Sequence, residues 1–135
     1  MQYIIMLIIV LGMSVSDIVT GILKAHIVEG YQSKIMRKGL YSKFLNWSIM
    51  VTAIGFEIGM EFLGRYYQCE QLAMVAGAIP AVVVFLILVL MELISIAENF
   101  VIANPDAPLA KVILKRLKGV SGKIEKELSE DENSG

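Results

Sequence analysis

The chain sets long runs without charge against short stretches that concentrate it. Residues 72–91, LAMVAGAIPAVVVFLILVLM, hold no ionisable side chain. Twenty helical residues rise roughly 30 Å, the thickness of a bilayer's hydrocarbon core, so a transmembrane helix is predicted there. Its continuation toward about residue 103 is more polar. A second run, 3–23, is broken only by Asp17. A third, 44–64, carries Asn46, Glu57 and Glu61 and is the weakest of the three. Three spans are expected. Two spans plus a helix buried by one face is the alternative that the middle run leaves open.

The rest of the chain reads differently. Asn104-Pro105-Asp106-Ala107-Pro108 is a break that ends the third helix. Beyond it Leu109, Val112, Ile113, Leu117, Val120, Ile124 and Leu128 recur at spacings of three or four, one apolar helical face weakened by Gly119 and Gly122. Lys111, Lys115, Arg116 and Lys118 flank it, a pattern suited to an anionic leaflet, a partner helix or plain solvent. The acidic end, residues 130–135, is expected to be disordered. The organisation is therefore a membrane domain over 1–104 and a cytoplasmic basic-amphipathic tail over 105–135.

Composition sharpens the class. Of 135 residues, 56% are hydrophobic and 19% charged, against roughly 25% charged in soluble proteins. Mean hydropathy is +0.68. A small soluble domain needs a large polar surface, which this chain lacks. With a formal net charge of −1, a nucleic-acid binder is equally disfavoured. One Cys and one His exclude an intrachain disulfide or a Cys/His zinc cluster. No phosphate-binding, metalloprotease or nucleophile-elbow motif occurs. No catalytic, cofactor-binding or metal-ligating residues are assigned, and no enzyme is expected. A cleavable leader is disfavoured too, because no positive charge precedes Lys24 and the first apolar run is too long.

Orientation follows from Lys and Arg near the spans. The first connection holds five (Lys24, Lys34, Arg37, Lys38, Lys43), the second only Arg65, and the tail six. The N-terminus is thus expected outside and the C-terminus inside. Trp47 and Tyr41 fit an inner aromatic belt, Tyr66 and Tyr67 an outer one.

Polar groups within the spans are the candidate functional residues. Glu57, Glu61 and Arg65 are four apart and share a helix face, with Arg65 placed to pair with Glu61. Glu57 lies about 10 Å deeper than Arg65 along the helix. An ionised carboxylate in lipid costs on the order of 2.5–3.5 kcal/mol, so Glu57 must face a helix, face water or be protonated. Asp17 poses the same problem, with Thr20, Gly21 and Lys24 on its face. Interhelical hydrogen bonds or snorkelling, a water-lined path and a proton-coupled site are the open readings. Gly55 and Gly59 form a GxxxG. Gly12 with Ser16, and Gly77 with Ala81, form similar small-residue pairs suited to close helix packing. Pro80 is placed to kink the third span.

Several stretches resemble a known family. Asp17-Ile18-Val19-Thr20-Gly21 is similar to the D-x-x-T-G of three-span phage lysis holins of the toxin-secretion type. Ser33-Lys34-Ile35-Met36-Arg37-Lys38-Gly39-Leu40 resembles their loop leading into a basic second span. Glu92-Leu93-Ile94-Ser95-Ile96-Ala97-Glu98-Asn99 looks like their E-x-x-S-I-x-E-N, and Pro108-Leu109 with a basic tail completes the order. Within that third stretch Glu92, Ser95 and Asn99 share a stripe, and Glu98 sits a little around the helix. The resemblance runs from about residue 17 to 117. Met91 stands where an Asn often precedes the Glu, the link before Pro108 lacks the usual Gly, and the second span holds two Glu rather than one.

The resemblance implies an all-α integral membrane protein with three transmembrane helices and a short cytoplasmic amphipathic tail. It implies a place in the bacterial cytoplasmic membrane, self-association and no cofactor. An endolysin or toxin would pass as cargo without a docking site, and an antiholin is a further implied partner. An antiholin or small depolarising pore, a small ion-channel or transporter subunit, and a membrane-anchored adaptor are the competing roles.

Overall fold

The computed structural model describes residues 1–29, 33–69, 71 and 81–133. Four α-helices account for nearly all of them: α1 Gln2–Lys24, α2 Ser33–Tyr66, α3 Ala81–Ala103 and α4 Pro108–Asn133. One π-helical turn, Ala25–Glu29, prolongs α1. No strand occurs among the described residues. Three helices are long and apolar enough to cross a membrane, with mean hydropathy of 2.2, 1.2 and 2.6 along their apolar stretches. The middle one is the weakest, as its Asn and two Glu predict. Residues 72–80 of the anticipated third span, including Gly77 and Pro80, lie outside the described residues.

Helix α2 is longer than the apolar run within it. Its 34 residues reach about 50 Å, well beyond a hydrocarbon core. Residues 33–43, expected as loop, are helical instead. Lys, Arg, Met and Leu are good helix formers, and no proline interrupts the stretch. At its other end Gln68 takes a left-handed conformation (φ 51°). Cys69 N–H donates to Gly64 O at 3.0 Å and Gln68 N–H to Arg65 O at 3.4 Å, the paired bonds of a Schellman cap.

The chain divides into two compact units. The first comprises Met1–Ser14 and Ser33–Val89. Its core is a set of stripes at helical spacing: Tyr3, Met6, Leu7 and Val10 on α1, Trp47, Met50, Ala53 and Ile54 on α2, and Ala81, Val84, Phe85 and Leu88 on α3. Met50 and Ala81 are fully buried. The opposite faces are as apolar as the core, with Ile4, Ile8, Phe44, Ile49, Phe56, Phe62 and Leu86 exposed. In water such patches would drive association; against lipid tails they need no covering. Tyr66 and Tyr67 meet edge to face with centroids 4.9 Å apart.

The second unit comprises Val15–Gln32 and Leu90–Gly135. Helix α3 stops at Ala103, and Ala107 N–H donates to Asn104 O at 3.2 Å across a tight turn. Pro108 then opens α4, at the position where a missing N–H costs nothing. The structure splits the tail's single anticipated apolar stripe in two. Ala110, Leu114, Leu117, Ser121 and Ile124 are half-buried, whereas Leu109, Val112, Ile113 and Val120 are exposed. Helix α4 also runs to Asn133, into the acidic stretch expected to be disordered. The helix propensity of Glu carries it there despite acids at the unfavourable end of the helix dipole.

Candidate functional site

Each unit holds one polar cluster within an apolar surrounding. In the first unit, Glu57 extends the core stripe of α2 by one turn beyond Ala53 and Ile54, and it is half-buried. The Tyr3 hydroxyl donates to its Oε1 at 2.9 Å. The backbone N–H of Ala81, the fully buried first residue of α3, donates to its Oε2. One carboxylate thus takes a donor from each of the two other helices. The start of α1 meets the later part of α2, as consecutive helices running in opposite directions require. One turn onward, Glu61 pairs with Arg65 on the exposed face of the same helix, as the spacing predicts.

In the second unit, Asp17 is buried at 7% exposure. Asn99 Nδ2 donates to its Oδ1 at 3.1 Å and lies 3.5 Å from the Thr20 hydroxyl oxygen. That hydroxyl donates to the Asp17 carbonyl at 3.0 Å. Gly21 completes the contact, since a methyl placed there would sit 3.6 Å from Asn99 Nδ2. Asp17 and Thr20 are on α1 and Asn99 on α3, so two stretches far apart in the sequence form one cluster. Glu92 is buried and engaged, and Ser95 is half-buried. Glu98 leaves the stripe to meet Lys118 Nζ of α4 at 2.7 Å.

The small-residue pairs have a different place. Among the described residues, a Cβ added at Gly12, Gly55 or Gly59 would meet nothing within 4 Å. On the same side of α2 as Gly55 and Gly59, Ser48 and Thr52 line a shallow groove with Leu45, Ile49, Ala53 and Phe56. Their hydroxyls donate to the carbonyls of Phe44 and Ser48 at 3.0 and 2.8 Å. Ala81 packs in the core, and Ser16 is exposed and engaged. Among the described residues no group of three or more His, Cys, Asp or Glu is placed to hold a metal ion.

Three apolar helices with acids bonded between them narrow the class to a small multi-span membrane protein, and a comparison of the sequence decides it. Residues 2–121 match the bacteriophage holin family. The chain belongs to that family. No curated protein and no solved structure matches it significantly. The holin is accordingly a multi-pass protein of the host's inner membrane, from a family that is not enzymatic.

Sequence reading found the holin's acids and their difficulty but missed two of the partners. Tyr3 and the Ala81 amide were not singled out. Depth matching could have found Tyr3, because antiparallel neighbours bring the first turn of α1 level with the later half of α2. The Ala81 amide carries no sequence signal, since every residue but proline has one.

Proposed function

We propose that this holin accumulates in the cytoplasmic membrane, N-terminus outside and C-terminus inside. It then oligomerises into lesions that release a folded cell-wall hydrolase or toxin, leading to host cell lysis. The observation that carries the reading is the Glu57 carboxylate, held in its own unit by Tyr3 and Ala81. Donors from two helices make the acid tolerable in a lipid-embedded resting state. The same acid becomes a hydration site once helices exchange those contacts for water.

Size requires collective action. A hydrolase of about 250 residues is roughly 45 Å across by its radius of gyration. A hole that wide has a rim of roughly 140 Å, or about fourteen helices of 10 Å width. Three spans per chain mean several copies. Gly55 and Gly59, where a Cβ meets nothing within 4 Å among the described residues, are assigned to helix packing between copies. Asp17, Glu57 and Glu61 are assigned to the hydrated rim. Thr20, Gly21 and Asn99 hold Asp17 in the resting state, and Arg65 holds Glu61.

Induced expression, with growth, membrane potential and release of a cytoplasmic enzyme followed together, tests the proposal. Abrupt loss of potential with simultaneous enzyme release is expected. Depolarisation without enzyme release would instead identify an antiholin or small pore. Selective, saturable ion flux without cell death would identify a channel subunit. In vesicles, Glu57→Gln with Glu61→Gln is expected to alter assembly and leakage; unchanged behaviour would remove those acids from the mechanism.

A further inference from the structure

Helix α4 carries a face that its own fold does not cover. Its packing is supplied by Ala110, Leu114, Leu117, Ser121 and Ile124, yet Leu109, Val112, Ile113 and Val120 remain 71%, 55%, 45% and 50% exposed. At 100° per residue these four share an arc of about 100° with Arg116 and Lys123. Charge along the helix is strongly one-sided. Residues 107–124 contain Lys111, Lys115, Arg116, Lys118 and Lys123 and no acid. Lys118 is engaged by Glu98; of the other four cations, Arg116 and Lys123 lie in the exposed arc, and Lys111 falls on the far side of the helix. Residues 125–132 then reverse the sign, with Glu125, Glu127, Glu130, Asp131 and Glu132 against Lys126.

We propose that this face of α4 docks on the anionic headgroups of the leaflet from which α3 emerges. Three observations choose a lipid surface over another occupant. Helix α4 starts five residues after α3 ends, and the Glu98–Lys118 pair draws it back toward α3, so the helix stays close to the bilayer. Arg116 and Lys123, set within an exposed apolar arc, match a surface that is anionic outside and oily beneath, with their stems lying along the apolar part. The acidic final third is repelled by the same surface, which confines docking to residues 108–124. The proposal rests on membrane placement alone and not on lesion formation.

The test uses the full-length protein with Cys69→Ser and a single labelling site, Val112→Cys or Val120→Cys, carrying an environment-sensitive fluorophore. Reconstitution is into phosphatidylcholine vesicles with or without one third phosphatidylglycerol. Blue-shifted emission and protection from iodide are expected only with the anionic lipid, and high salt should reverse both. Replacing either Arg116 or Lys123, the two cations within the arc, by Gln should lower the docked-to-free ratio about fivefold. Equal emission and quenching in the two vesicle types would overturn the proposal. So would protection that follows protein-to-lipid ratio and ignores lipid charge, because it would name a second protein as the occupant.

Discussion

Replacing Glu57 by Leu should make α2 easier to insert and harder to keep packed. On insertion scales an acid at a span's centre costs about 2.5–3.5 kcal/mol and Leu gains about 0.3–0.6 kcal/mol. Insertion of the weakest span, with mean hydropathy 1.2, should therefore improve by about 3–4 kcal/mol. Packing runs the other way. In the folded unit the carboxylate accepts from Tyr3 and from the fully buried Ala81 amide, whereas a separated α2 exposes it to lipid. Leu removes that penalty from the separated state and takes the acceptor from Ala81 in the packed one, a loss of about 1–3 kcal/mol for a buried donor. Gln is the discriminating control. Its oxygen accepts from Ala81 and its amide donates to the Tyr3 oxygen, so both contacts survive without the charge. The assays are translocon-dependent insertion of α2 and denaturant titration of the folded protein in mild detergent. Expected resistance falls in the order wild type, Glu57→Gln, Glu57→Leu, with Tyr3→Phe milder than Glu57→Leu. A Glu57→Leu protein that resists denaturant as well as Glu57→Gln would refute the bridging role.

Three further outcomes follow from the geometry. Gly21→Ala should be tolerated, because its methyl lands at ordinary contact distance from Asn99, whereas Gly21→Leu should displace Asn99 and lower stability by about 1 kcal/mol or more, read by the same titration. Gln68→Gly should raise stability by about 1 kcal/mol by relieving a left-handed conformation in a side-chain-bearing residue, with a higher denaturation midpoint as the readout. Gly55→Leu with Gly59→Leu should not lower the denaturation midpoint, since among the described residues a Cβ at either glycine meets nothing within 4 Å, yet should shorten the ladder of cross-linked species in membranes. An unaltered ladder would move the interface elsewhere.

The spans were legible because length and apolarity alone decide them. The Glu61–Arg65 pair was legible because both groups lie on one helix, four residues apart. The inward faces were not, and the reason is physical. In a soluble helix, polarity marks the solvent side; here Ile4, Ile8 and Phe56 outside match Met6, Val10 and Ile54 inside in chemistry. Only side chains needing a hydrogen bond distinguish the faces, and each names half of a contact. Asp17 and Asn99 are 82 residues apart, and their meeting depends on how α1 and α3 pack. The tail's stripe was divided for a related reason: period shows which residues are apolar, and burial shows which of them find a partner.

The two hydroxyls on the outer face of α2 bear on what that helix can tolerate. Ser48 and Thr52 each spend their proton on a carbonyl one turn back, so neither presents an unmet donor to oil. A half-turn of a bond from that position, the same groups can greet a water molecule. With two bare glycines beyond them, this strip is amphibious, and turning it from the fatty phase to an aqueous lumen incurs little of the penalty that a wholly aliphatic strip would meet.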